Sequence, residues 1–433
     1  MDFDESLRYL LSLGHETLAM KLGLEGVRRL LALLGDPQKS YPAVQIAGTN
    51  GKGSTAAMLD AVCRAAGVRA GLYTSPHLVS INERVRVGGA EVSREEFARA
   101  ATRVRAAAEE VGRATGALPT FFEQVTAAAL LVFKDAGVAL AILETGLGGR
   151  LDATTAAEAG VVAITPVALD HQGHLGSTLE EIAAEKAAII RPGVAAAVIA
   201  PQEPAARAVI LRRCRECGVE PLLVAASDAR VEEICADARL RVSLTTDRGT
   251  YPPARLSLRG RHQLLNAATA VRLAEVLAGR GFGITRGDVV AGLESAEHAG
   301  RLELRDGSPA LLLDGAHNAA GARALRSYLD EFARAPVTLV FGAMRDKELG
   351  EIGRALFPAA RRLVLTRADN ARSAPVEDLV RAIPRDADLS TISLAPLPRD
   401  ALAIARAVTP PEGTICVSGS LHLVGEVTRL LGG

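Results

Sequence analysis

The chain has 433 residues, 48% of them apolar, and its 50 basic side chains balance 50 acidic ones. That length favours two cores over one, and a neutral balance provides no global field to attract nucleic acid or an anionic membrane. The absence of Trp and an aromatic content of only 3% also argue against stacking platforms for bases.

The N-terminal stretch MDFDESLRYL is acidic and lacks a basic segment leading into an apolar core. No apolar run is long enough to span a bilayer, so a cytoplasmic protein is expected. Five cysteines in a chain of this length do not form a disulfide framework. Cys214 and Cys217 make one C-x-x-C with no second ligand pair, which reads as two thiols on an Arg-rich helix.

In chain order, apolar β-branched runs predict strands over 43–48, 70–75, 138–144, 160–166 and 193–200, with helical periodicity between them, as over 54–67 and 261–281. This alternation predicts a parallel sheet covered on both faces. The rhythm restarts after Arg301 with strands over 310–314, 336–342, 362–366 and 414–419, each followed by a helix. A hinge is therefore expected near 294–304, dividing a larger domain, 1–296, from a smaller one, 297–433.

Ligands of open α/β sheets gather at the carboxyl ends of the strands. After the first strand comes GTNGKGS, a loop opening a helix whose N-terminal amides favour phosphate. It departs from the usual phosphate loop: Gly48 stands three residues before Gly51, and Gly53 separates Lys52 from Ser54. The second strand leads to Ser75 and His77. The third ends in Glu144, like a Walker-B strand with Glu in place of Asp, and the fourth leads to Asp170, His171 and His174. A phosphate cradle, a hydroxyl, a carboxylate and an imidazole at one sheet edge point to ATP with Mg²⁺ or Mn²⁺.

Only six basic residues are lysine: Lys21, Lys39, Lys52, Lys134, Lys186 and Lys347. Such scarcity directs attention to positions where a compact amine serves and a planar guanidinium does not. Lys186 follows an expected capping box, Ser177 with Glu180, and lies on the apolar stripe Leu179, Ile182, Ala183, Ile189 and Ile190. An ammonium there is costly unless it is paired or neutral. One reading is a snorkelling or paired lysine. The other is a deprotonated amine that reacts with CO₂ to give a metal-binding carbamate.

GTNGKGST, YTSPHLVSINERVRVGG and LETGLGGRLDAT resemble the Mur ligase superfamily and, within it, the folate branch of folylpolyglutamate and dihydrofolate synthases. The Asp-His pair at 170–171, EKAAIIRPG, GRHQLLNAATA, GRLEL and DGAHNAAGARAL continue the resemblance in order. It implies a P-loop-containing parallel-sheet domain followed by a smaller Rossmann-like α/β glutamate ligase domain.

For the nucleotide, the resemblance implies that Gly48, Thr49, Asn50, Gly51, Lys52, Gly53 and Ser54 hold the ATP phosphates, while Asn266, Arg301 and Asp314 contact ATP. Ser75, Glu144, His171 and a carbamylated Lys186 would hold Mg²⁺, with two ions expected. Lys52, Lys186 and His171 would serve catalysis. For the acceptor, either dihydropteroate or a reduced folate, it implies Thr120, Phe121, Phe122, Glu123, Leu151, Asp152 and Ala153. His317, Ser418 and Ser420 would serve the incoming L-glutamate and closure.

The sequence departs from the family pattern at Gly173-His174, at His298-Ala299 before Gly300-Arg301, and at Ala319 after DGAHN. The expected protein is a monomeric ATP-dependent ligase of small molecules. Two rivals are a cell-wall type Mur ligase, which usually carries a further N-terminal domain, and a P-loop hydrolase driving a partner's conformational change.

Overall fold

A computed structural model describes residues 1–14, 23–385, 387 and 391–432. Lys21 lies outside them. Strands β1 (Ala43–Ala47), β2 (Ala70–Tyr73), β3 (Val85–Val87), β4 (Ala90–Glu91), β5 (Leu140–Glu144), β6 (Val161–Ile164), β7 (Ala196–Ile199) and β8 (Pro221–Leu223) form one sheet in the order β4-β3-β2-β5-β1-β6-β7-β8. The pairings from β2 to β8 are parallel, and β3 and β4 add an antiparallel hairpin at one edge.

The central strands β1 and β5 are buried along their whole length because both faces are covered. Val44 and Ile46 of β1 pack on the layer made by helices Lys52–Ala65, Gln263–Gly279 and Arg286–Ser295, whereas Ala43 and Ala47 join the opposite layer. That opposite layer contains helices Phe3–Ser12, Arg94–Thr115, Phe121–Asp135, Leu179–Ala187 and Pro204–Cys217.

The alternating rhythm misses β9 (Ala229–Ile234), β10 (Leu240–Thr246) and β11 (Gly249–Arg255), an antiparallel sheet in a stretch for which no strand was expected. Its strands bury alternate residues and expose charged ones between them. Strands β12 (Glu303–Arg305), β13 (Ala310–Leu313), β14 (Val337–Phe341), β15 (Arg362–Leu365), β16 (Ile392–Leu394) and β17 (Thr414–Ser418) form a separate sheet, ordered β12-β13-β17-β14-β15-β16. All its pairings are parallel except β12 with β13, and helices cover both faces.

The chain passes from one sheet system to the other between the end of helix Arg286–Ser295 and the start of β12. The proposed division at 296/297 falls in that segment.

Cys214 is buried on helix Pro204–Cys217, and the Cys217 thiol donates to the Ile190 carbonyl at 3.3 Å. Among the described residues no helix is long and apolar enough to cross a membrane.

Candidate active site

The carboxyl ends of β1, β2, β5 and β6 open onto a cavity of about 310 Å³. Its floor is the loop after β1, and two glycines there are required by shape. Gly48 has φ +144° and a Cβ on it would sit 1.9 Å from Thr165 Oγ1; Gly51 has φ +89° and a Cβ would meet Asn266 Oδ1 at 2.2 Å. The Thr49 and Asn50 amides donate to the Pro166 carbonyl at 3.0 and 3.2 Å, so they pin the loop to the end of β6. Helix Lys52–Ala65 starts on this loop and points its N-terminus at the cavity.

Lys52 curls over the loop, its Nζ donating to the Thr49 carbonyl at 3.2 Å. Burial lowers its pKa, against the pull of Glu144 and Asp170. Asn266, Arg301 and Asp314 line the same cavity. The Asn266 amide donates to Gln263 Oε1 at 2.8 Å. The Asp314 carboxylate accepts the Leu302 and Ala316 amides, both at 2.9 Å, and so ties the linker to the turn after β13.

Three residues expected around the metal face this cavity from β2, β5 and β6. Glu144 is buried at the end of β5, accepts the Ser75 amide at 3.1 Å, and has its pKa raised by burial despite the nearby Lys52. His171 has φ +51° and a buried Nδ1 without a hydrogen-bond partner. Burial lowers its pKa to about 3, so the imidazole is neutral. No three His, Cys, Asp or Glu side chains form a cage among the described residues. A carboxylate, a hydroxyl and an imidazole whose Nδ1 is unpartnered, beside a phosphate loop, fit Mg²⁺, which keeps few protein ligands and shares its shell with phosphate and water.

Lys186 also lines the cavity, its buried Nζ donating to the Gly48 carbonyl at 3.0 Å. Burial, reinforced by Lys52, brings its pKa down to about 7. Its helix is capped by Thr178 with Glu181, one residue later than the expected Ser177 with Glu180. The stripe also needs correction: the helix ends at Ala187, so Ile189 and Ile190 are buried just beyond it.

A second cavity, of about 240 Å³, adjoins the first and shares with it Ser75, Gly146, Leu147, His171, His317 and Leu421. Thr120, Phe122, Glu123, Leu151, Asp152, Ala153 and Ser420 line it, as does the Arg150–Glu185 ion pair. Thr120 and Glu123 form the capping box of helix Phe121–Asp135. Asp152 caps the short turn after it and accepts the Leu147 amide at 2.8 Å. Ser420 caps helix Leu421–Leu431.

Two expected residues fall elsewhere. Phe121 is buried in the core beneath the Arg84 guanidinium, because the first residue of the helix turns inward and the next turns to the cavity. Ser418 is fully buried at the end of β17, within 3.5 Å of the Ala316 carbonyl, whereas Ser420 reaches the cavity.

Asp170 and Lys347 received no role from the sequence, yet they pair at 2.5 Å with side chains only 6% and 5% exposed. Asp170 also accepts from Asn318 at 3.0 Å and lies 3.5 Å from His317 Nε2. Burial alone would raise the Asp170 pKa, but His317, His171 and Lys347 together pull it well below the usual carboxylate range. Asn318 further exchanges hydrogen bonds with Asn50, so the two sheet systems meet across the phosphate loop. The scarcity of lysine was the only sequence feature that singled out Lys347.

Residues 46–274 match the Mur ligase middle domain and residues 300–421 the Mur ligase glutamate ligase domain. A Bacillus subtilis dihydrofolate synthase/folylpolyglutamate synthase is 34% identical, over 96% of this chain and 97% of the relative. The chain belongs to this folate branch of the Mur ligase family.

A probable bifunctional folylpolyglutamate synthase/dihydropteroate synthase of Haloferax volcanii is 38% identical over 98% of this chain. The chain spans about half of that relative's length, 50%. Among solved structures, Mycobacterium tuberculosis folylpolyglutamate synthase complexed with ADP and AMPPCP superposes with a TM-score of 0.90 at 32% identity, covering 100% of this chain and 99% of that one. A bifunctional folylpolyglutamate synthase/dihydrofolate synthase with Mn, AMPPNP and L-glutamate bound gives 0.86 at 29% identity, covering 100% and 98%.

Proposed function

We propose that this protein is an ATP-dependent ligase that joins L-glutamate to the carboxylate of dihydropteroate or a reduced folate through an acyl phosphate. The observation that carries this reading is the pair of cavities with one common wall. A phosphate loop floors the first, a largely apolar pocket forms the second, and Ser75, His171 and His317 stand where they meet.

A carboxylate resists an amine because it is anionic and its leaving group is oxide. Transfer of the γ-phosphoryl group to that carboxylate gives ADP and a carbonyl with a good leaving group; the glutamate amine adds, and phosphate departs. The chain's part is positioning and charge neutralisation. The helix N-terminus and Lys52 receive the phosphates, and Lys52 gains a counter-charge when a triphosphate enters. Ser75, Glu144, His171 and a carbamylated Lys186 would hold divalent ions, two in number in this proposal. Those ions supply charge neutralisation along the transferring phosphoryl oxygens. A pKa near 7 leaves much of Lys186 as the free amine that CO₂ requires. The smaller sheet system, clasped through Asp170 and Asn318, shields the acyl phosphate from water.

ADP release, measured with dihydropteroate and tetrahydrofolate offered separately, is expected to require both the acid and glutamate. Hydroxylamine added without glutamate should trap the activated acid as a hydroxamate. ADP release that ignores both substrates would instead identify a hydrolase. The protein is further proposed to act as a cytoplasmic monomer.

A further inference from the structure

Gln45 is the one polar residue of β1, the strand that leads into the phosphate loop, and it is fully buried. It reaches neither cavity. Burying an amide in a strand whose other residues are Ala, Val and Ile is costly unless its polar atoms are used. Its Nε2 lies 2.8 Å from Thr155 Oγ1 and 2.9 Å from Thr154 Oγ1, with Thr145 Oγ1 more distant at 3.4 Å. Its Oε1 meets no donor among the described residues, so what this side chain supplies is its two protons.

The direction of these bonds is fixed from the far end. Thr155 gives its proton to the Gly149 carbonyl at 2.7 Å, and a carbonyl can only accept. The Thr155 oxygen therefore takes a proton from Gln45, which places the amide nitrogen on this side. The second amide proton goes to Thr154, whose hydroxyl donates in turn to Asp152 Oδ1 at 2.5 Å. Asp152 also accepts the Thr154 amide at 3.0 Å and, through Oδ2, the Leu147 amide at 2.8 Å. Leu147, Asp152 and Ala153 all line the second cavity. One amide in the central strand thus reaches the wall of that cavity through two hydroxyls.

We propose that Gln45 is a positioning residue for the acceptor: through Thr154 and Thr155 it holds Asp152 and the loop after β5 in the arrangement that lines the acceptor pocket. This rests on the ligase reading in taking the second cavity as the seat of the acceptor acid. Gln45 touches no substrate, so its removal should alter how the acceptor binds and leave the nucleotide side untouched.

The test compares the acceptor KM in steady-state ADP release with ADP affinity by calorimetry, for wild type, Gln45→Met, Thr154→Val, the double variant and Thr154→Ser. Gln45→Met should raise the KM for dihydropteroate or tetrahydrofolate, whichever wild type uses, about 10-fold, with ADP affinity unchanged. Thr154→Val breaks the same chain one link on and leaves β1 intact, so it should match that rise and carries the test should Gln45→Met fail to fold. The double variant should fall well short of the product of the two single effects. Thr154→Ser, which keeps the hydroxyl, should stay near wild type. An unchanged acceptor KM in the single variants would overturn the proposal. So would an equal weakening of acceptor and ADP, since a general loosening of β1 moves both, and so would single effects that multiply. Wild type that releases no ADP with either acid would overturn the ligase reading itself, a result distinct from these.

Discussion

Lys52 and Lys186 line one cavity, bonding adjacent carbonyls of the phosphate loop, and each has a chemistry that arginine does not share. Lys52→Ala should lower kcat by about a hundred- to a thousandfold, read in steady-state ADP release, through lost charge stabilisation in the transition state. Lys186→Arg should be nearly as harmful although it keeps the charge, since a guanidinium forms no carbamate. Full activity of that variant would remove the carbamate from the mechanism. Lys186 also predicts a pH dependence. The unfolded chain holds its proton up to about 10.4, whereas the folded state releases it at about 7. Between those values the unfolded state binds more protons, so this group makes stability rise with pH across that window. Urea midpoints of wild type compared with Lys186→Met, taken from about pH 6.5 to 9.5, should show a steeper rise in wild type, since Lys52, whose pKa burial also lowers, titrates in both.

Such a residue was legible because an amine on an apolar stripe is a conflict visible in sequence. Asp170 with Lys347 was not, since their partnership spans 177 positions and no local pattern links them. Phe121 and Phe122 show a finer limit. Their type suggested a pocket, but which one faces it depends on where the helix begins and how it rolls against the sheet.

At the scale of elements, caps and cavity walls coincide. Thr120 and Glu123 close the start of helix Phe121–Asp135 and line the second cavity. Thr120→Ala should cost about 1 kcal/mol of stability, seen as a lower urea midpoint at constant m-value. Most of the parallel strands were legible as mainly apolar runs ending at a glycine or polar residue, but the three-residue strands β8 and β16 were not. The β9–β11 sheet was not. Its strands carry alternating charges and the pair Pro252-Pro253, features that read as loop until a neighbouring helix supplies the covered face. The cap at Thr178 was missed by one residue for a comparable reason: Ser177 and Thr178 are chemically equivalent caps, and packing selects between them.

For the whole molecule, the Asp170–Lys347 pair joins the two sheet systems at the site itself. Removing either partner strands a buried charge. A double-mutant cycle of Asp170→Asn and Lys347→Met should give a coupling of about 1–3 kcal/mol in chemical unfolding, against near-additivity for two distant surface substitutions. The two-part architecture was legible from the restart of the strand–helix rhythm after Arg301. The clasp that brings the parts together was not, because it exists only once both have folded.

The distribution of lysines has a practical consequence. Lys39 and Lys134 lie exposed, whereas Lys52, Lys186 and Lys347 face inward. An acylating reagent therefore meets an outer set at once and an inner set only when the halves part. The lag before Lys347 becomes labelled, followed by peptide mass spectrometry, is a clock for spontaneous opening that needs no substrate, and a bound nucleotide should slow it.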